Sequence, residues 1–177
     1  MDYRLPDPAS IPSLAPADQI AILDALFEPS PTLHTLMQPV LNSQRFASYA
    51  DLIDACFTAI HQLTVTPTPD NKTTLHRILG SHPRLGAPKV ESAQSASEQA
   101  KLQSGSEETK QRLATLNAKY EARFPGLRYV VFVNGRGRPE IMENMEARIA
   151  RGDIALEEQE AMKAMCDIAK DRSKKLC

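Results

Sequence analysis

The sequence predicts an all-α protein: a single compact domain of roughly eight helices with one short extended segment near residues 129–133. Three observations lead there. Apolar residues recur at the 3.6-residue period in Leu52, Ile53, Cys56, Phe57, Ile60 and Leu63, and again in Leu113, Leu116, Tyr120 and Phe124. Serine and proline signals of the kind that open helices precede several of the periodic runs. Only Tyr129-Val130-Val131-Phe132-Val133 is β-like, bounded by Pro125-Gly126 and by Gly135 and Gly137, and no second run offers it a partner. Such a segment exposes backbone N–H and C=O groups that neighbouring loops or a polar ligand must satisfy.

In chain order, residues 1–15 read as a Pro-rich N-terminal tail packed over the surface of a domain spanning 1–177. A first helix starts at Pro16, with Ile20, Ile22, Leu23, Leu26 and Phe27 on its apolar side. Ser30-Pro31 caps and opens a short second helix that Pro39 should interrupt. Ser48 and Asp51 have capping-box spacing at the head of a central core helix. The polar connector Thr64–Asn71 leads to a short helix capped by Asp70, with Leu75, Ile78 and Leu79 facing inward and Gly80 ending it in a left-handed conformation. Further helices should run from Ser95 to about Leu102, from Ser106 to Phe124, from Pro139 to Gly152, and from Leu156 to Lys175.

The totals exclude several classes of function. A formal charge of −1 with no basic run lacks the footprint of a nucleic-acid binder. No apolar stretch reaches the length of a membrane span, and MDYRLPDPAS lacks a signal-peptide core. Cys56, Cys166 and Cys177 are odd in number and widely spaced, which suits a reduced intracellular setting. No metal-ligand spacing and no nucleotide-binding glycine motif is present, so neither a metal nor a cofactor is expected.

Chemistry concentrates between Gly80 and Gln99, GSHPRLGAPKVESAQSASEQ. His82 carries an imidazole on a stretch that Pro83 makes extended and rigid, and Glu98 follows across one loop. Each residue also has an ordinary explanation. Ser95-x-x-Glu98 is a capping box on spacing alone, His82 beside Pro83 reads first as a surface loop histidine, and Arg172 as a solvated residue suited to a helix C-terminus. Met142, Met145, Met162 and Met165 read as core fillers. The residues by themselves describe a helical domain with an acid/base loop and leave its function open.

An ordered series of motifs resembles the 2-oxo-4-hydroxy-4-carboxy-5-ureidoimidazoline (OHCU) decarboxylase family. The series comprises Phe27-Glu28-Pro29-Ser30-Pro31, Phe46-Ala47-Ser48, Leu79-Gly80-Ser81-His82-Pro83-x-Leu85-Gly86, Ser95-x-x-Glu98-Gln99-Ala100, Leu116-Asn117-x-x-Tyr120-x-x-Arg123-Phe124, Tyr129–Val133 and Ile168-Ala169-Lys170-Asp171-Arg172. Four features depart from the family pattern and suggest a divergent branch. The loop from His82 to Ser95 is shorter, Thr32 stands where an aromatic often follows Ser-Pro, Asn134 stands where Arg or Lys is common, and Leu127-Arg128-Tyr129 replaces Phe-Pro-Phe.

The resemblance implies a cofactor-free carboxy-lyase that converts the ureidoimidazoline to (S)-allantoin in urate breakdown. It implies catalytic roles for His82, Glu98 and Arg172: His82 as acid/base, Glu98 holding the polar ring or ureido group and orienting His82, and Arg172 pairing with the substrate anion. Pro83, Ser95, Gln99 and the backbone of Val130, Val131, Phe132, Val133 and Asn134 would line the pocket. A small-molecule substrate and a homodimer are further expectations. Location is expected to be cytoplasmic, with the peroxisome as the alternative, although the chain closes on Lys174-Lys175-Leu176-Cys177 and not Ser-Lys-Leu. The competing reading is a non-catalytic or substrate-shifted fold-mate that serves as a small-molecule or protein binding module.

Overall fold

In the computed structural model, which describes residues 3–87, 92–103 and 105–177, α8 (Ile154–Leu176) is the element the others pack around. Its inward face, Ala161, Met162, Met165, Ile168 and Ala169, is buried against α3 (Tyr49–Val65) and α1 (Pro16–Phe27). Helix α3 in turn carries α2 (Pro31–Ser43) and α4 (Pro69–Leu79). The pair α6 (Glu107–Arg123) and α7 (Arg138–Arg151) packs together, and α5 (Ala93–Gln103) follows the loop after α4. Among the described residues there is no strand, and no helix is long and apolar enough to cross a membrane.

The expected helix signals mostly act as read. Ser30, Ser48 and Ser106 each accept a backbone N–H from the third residue on, and Gly152 closes α7 with φ +65°, a conformation glycine adopts without a Cβ penalty. The three cysteines are unpaired. Tyr129–Val133 is extended and unpaired with any strand, as the lack of a partner sequence requires.

Several local expectations are overturned. Pro39 lies inside an uninterrupted α2, because it and Thr35, whose carbonyl loses its partner, both face solvent while Leu33, Met37 and Leu41 bury the opposite face. Ile20 is exposed and does not join the apolar side of α1. Thr68, not Asp70, caps α4, accepting from the Asn71 N–H at 3.1 Å, and α3 runs on to Val65, so only 66–68 connect the two helices. Gly80 is right-handed at φ −78°, ψ −1°; its lack of a Cβ matters because one would press to 3.0 Å from the His76 carbonyl oxygen.

The N-terminal segment is more than a surface tail. It forms a 3₁₀ turn, Pro8–Ser13, that inserts fully buried Ile11, and its backbone is tied by Tyr49 Oη to the Pro6 carbonyl at 2.8 Å and by the Leu5 N–H to the Leu176 carbonyl at 2.9 Å. The last tie fixes the final turn of α8. The shorter loop after His82 includes 88–91 and so lies in part outside the described residues.

Candidate active site

Helix α5 begins two residues earlier than Ser95. Ser92 Oγ accepts the Ser95 N–H at 3.2 Å and the Ser92 carbonyl accepts from Ala96, so Ser92 does the capping. Ser95 and Glu98 are thereby freed from the capping-box role and turn inward on the first turns of the helix. Ser95 Oγ donates a short bond to Glu28 Oε1 and accepts from Arg172 Nη2 at 3.0 Å.

Arg172, on α8, meets Glu98 with two bonds, Nε to Oε1 at 2.8 Å and Nη2 to Oε2 at 2.9 Å. The same Nη2 reaches Glu28 Oε1 at 2.7 Å, and Nη1 reaches the Leu26 carbonyl at 3.4 Å. Burial works against the guanidinium charge, but the bonds and fields of Glu98 and Glu28 outweigh it and hold the Arg172 pKa above its ordinary value. Glu28 follows α1 at φ +78°, ψ 151°, a region that costs a residue with a side chain on the order of 1–3 kcal/mol. Its carboxylate is as buried as Arg172 itself, so the strained turn is held by an ion pair.

His82 is set by its loop. Pro83 follows it, Arg128 Nη1 bonds its carbonyl at 3.4 Å, Asn117 Nδ2 bonds the Leu85 carbonyl at 2.9 Å, and Gln99 Oε1 accepts the Gly86 N–H at 2.8 Å. Gly86 has φ +73°, and a Cβ there would lie 2.4 Å from Leu113 Cδ2, so the turn requires glycine. The imidazole is buried and its Nε2 has no hydrogen-bond partner. Desolvation, with a smaller push from Arg172, lowers its pKa to about 4, opposed by Glu28. At neutral pH the ring is therefore uncharged, with one nitrogen able to take a proton and the other to give one.

The extended segment is held from behind. Arg148 Nη1 donates to the Val130 carbonyl at 3.0 Å, and Arg136 donates from Nη2 to the Phe132 carbonyl at 2.5 Å and from Nε to the Val133 carbonyl at 3.2 Å. Among the described residues, the N–H groups of Val131, Phe132 and Val133 take no partner. Asn134 turns the chain at φ +48°.

These parts enclose a cavity of about 260 Å³. His82, Pro83, Ser95, Glu98, Gln99, Val130, Val131, Phe132, Val133 and Asn134, every expected site residue but one, line it. The exception is Arg172, which stands behind the wall with its donors engaged by Glu28, Glu98, Ser95 and Leu26. Leu85, Tyr129 and Ile168 add apolar surface, and Asp171 and Lys175 of α8 are also part of the lining. The sequence reading assigned no role to Glu28, Asp171 or Lys175. Glu28 belongs to the motif Phe27-Glu28-Pro29-Ser30-Pro31, but nothing in its local pattern says that its carboxylate turns inward.

The family model described as OHCU decarboxylase matches residues 12–174 of this chain. A search among curated proteins gave no match.

Proposed function

The chain belongs to the OHCU decarboxylase family, a family of decarboxylases acting on a small molecule of purine degradation, and on that premise we propose that it converts the ureidoimidazoline to (S)-allantoin without a cofactor. The observation that carries this reading is the pairing, in one small cavity, of a neutral buried imidazole lacking an Nε2 partner with a carboxylate clamped by a guanidinium. A buried polar atom left unpaired is costly, and a ligand that bonds it recovers that cost on binding.

The chemistry needs little more than placement and a timed proton. When the bond from C4 to the carboxylate breaks, CO₂ leaves and the electron pair forms a C4=C5 double bond. The C5=N pair moves onto the ring nitrogen, which takes a proton from solvent, the one proton the overall reaction consumes. The C4 hydroxyl then loses its proton to become a carbonyl while C5 gains one, and that last transfer sets the configuration. The substrate's own C=N bond is thus the electron sink.

His82, neutral at working pH, takes the proton of the C4 hydroxyl and returns one to C5. Glu98 accepts from the ureido or ring N–H groups, its position set by Arg172, which acts as a positioning residue. The free N–H groups of the extended segment and the Gln99 amide receive the ring's carbonyl oxygen and hold the plane. A homodimer, as the resemblance implies, and a cytoplasmic location remain part of this proposal, with sedimentation and fractionation as the direct tests.

Freshly generated substrate decides the matter. The expected result is enzyme-dependent formation of one allantoin enantiomer, followed by circular dichroism, in step with CO₂ release. Racemic product at the background rate would overturn the reading.

A further inference from the structure

An anionic ligand in the cavity needs a cation to balance it. Two carboxylates, Glu98 in the wall and Glu28 behind it, face one guanidinium, Arg172, and the neighbouring imidazole is neutral. Arg172 has its donors engaged, so it cannot turn to a ligand without breaking a buried ion pair. Among the described residues lining the cavity, Lys175 carries the one positive charge.

Lys175 is placed to move. Its backbone belongs to the final turn of α8, anchored by the Leu5 N–H on the Leu176 carbonyl and the Cys177 N–H on the Ser173 carbonyl. Its side chain is 65% exposed, and among the described residues Nζ is held only by Asp171 Oδ2 at 2.5 Å, one turn back. An exposed i,i+4 pair of this kind contributes little, so exchanging its anion costs little. The flexible lysine stem suits such an exchange better than a fixed fork would.

We propose that Lys175 is the specificity residue for the ligand's anionic group: its ammonium leaves Asp171 and pairs with the ligand's carboxylate at the mouth of the cavity. The inference rests on the decarboxylase reading for the identity of that carboxylate. The pairing is made in the ground state and fades as charge leaves the carboxylate, so it governs affinity and not turnover.

The test compares Lys175→Met, Lys175→Arg and Asp171→Asn. Lys175→Met should raise KM about tenfold with kcat unchanged or higher. Lys175→Arg should restore KM, and Asp171→Asn should lower it by removing the competing anion. Added salt should raise the wild-type KM and leave that of Lys175→Met flat.

Two unreactive probes, hydantoin-5-acetate and its neutral amide, separate this inference from the reaction itself. Calorimetry should show the carboxylate preferred by the wild type and the preference gone in Lys175→Met. An unchanged preference, or a loss confined to kcat, would overturn the role of Lys175. A wild type that prefers the carboxylate probe but yields no allantoin would overturn the reaction and leave the anion role standing.

Discussion

Arg172 meets Glu98 in a fork, Nε to Oε1 at 2.8 Å and Nη2 to Oε2 at 2.9 Å, across 74 residues of sequence. The fork is half of a bracket, because Nη2 also reaches Glu28 at 2.7 Å. The elements after α1, in α5 and in α8 are joined through one guanidinium. The resemblance implies an arginine that pairs with substrate; the geometry gives one whose donors meet Glu98, Glu28, Ser95 and Leu26.

Arg172→Met should therefore act first on stability. Removing one partner of a buried ionic group leaves the others uncompensated, at a cost of about 3–5 kcal/mol. A urea titration would register this as a large fall in the midpoint. Arg172→Lys should recover little, since a single ammonium cannot reproduce the fork. A variant of normal stability with only a raised KM would show that the guanidinium binds substrate directly.

Ser92 and Ser95 should separate cap from site. Ser92→Ala should cost about 1 kcal/mol of stability with kcat/KM preserved, as expected for a helix cap. Ser95→Ala strips a donor from Glu28 and an acceptor from Arg172, costing roughly 1–3 kcal/mol and lowering kcat/KM. Glu98→Gln keeps the helix and the side-chain shape but loses the charge opposite Arg172, so it should lose both activity and melting temperature. Full activity in Glu98→Gln would remove Glu98 from the mechanism.

The contrast between these serines marks what the sequence could and could not reveal. Periodicity and caps were legible because they are local: Ser30, Ser48 and Ser106 each act on a backbone N–H three residues away. Ser95 had the right spacing for the same role, yet Ser92 holds it, because both serines precede the same run and spacing cannot choose between them. His82, Glu98 and the extended wall were read largely through family motifs, and they do share a cavity. Glu28 was not legible, since its role depends on partners 67 and 144 residues away. Nor was the buried side of Arg172, for charge at a helix C-terminus ordinarily faces water.

His82 gives a prediction with a sign. Its pKa is about 4 in the folded protein, against an ordinary value near 6.5, so between those limits the unfolded chain binds more protons. Stability should thus be independent of this group above about pH 6.5, and fall as pH drops toward 4, by roughly 3 kcal/mol in all. The acid limb of kcat/KM should correspondingly appear near pH 4 and not near 6.5. His82→Ala should reduce kcat by about 10²–10⁴, and its stability should lose the corresponding slope between pH 6.5 and 4. An acid limb at 6.5 in a fully folded wild type would place the titrating group elsewhere.

Gly86→Ala should loosen the loop that holds His82. The added methyl meets Leu113 Cδ2 at 2.4 Å in a turn at φ +73°, and the displacement would break the Gly86 N–H bond to Gln99. We expect a loss of about 1–3 kcal/mol in stability and a fall in kcat. Leu113→Ala in the same chain should relieve the contact but not the backbone strain, so it should recover only part of both. Complete recovery would assign the effect to crowding alone.

The wall opposite α5 hangs on Arg148. Arg148 is buried, pairs with Glu157 through Nε and Nη2, and spends Nη1 on the Val130 carbonyl at 3.0 Å; Tyr120 Oη closes the group on Glu157 Oε2 at 2.5 Å. Its guanidinium also lies 4.7 Å from the centre of the Tyr129 ring. One side chain thus ties the extended segment to the helix pair behind it. Arg148→Met leaves Glu157 with Arg151 and Tyr120, so some charge compensation survives, and the stability loss should fall toward the lower end of about 3–5 kcal/mol. The Val130 carbonyl has no such substitute. Its peptide should turn toward another donor and move the lining with it, so the folded fraction of Arg148→Met should show a raised KM and a poorer enantiomeric excess of allantoin. Tyr120→Phe is the control, because it removes a bond to Glu157 while leaving Arg148 on Val130. Its stability should drop by about 1–3 kcal/mol with KM and enantiomeric excess intact. If Tyr120→Phe impaired enantiomeric excess as much as Arg148→Met, the contact on Val130 would not be what shapes the wall.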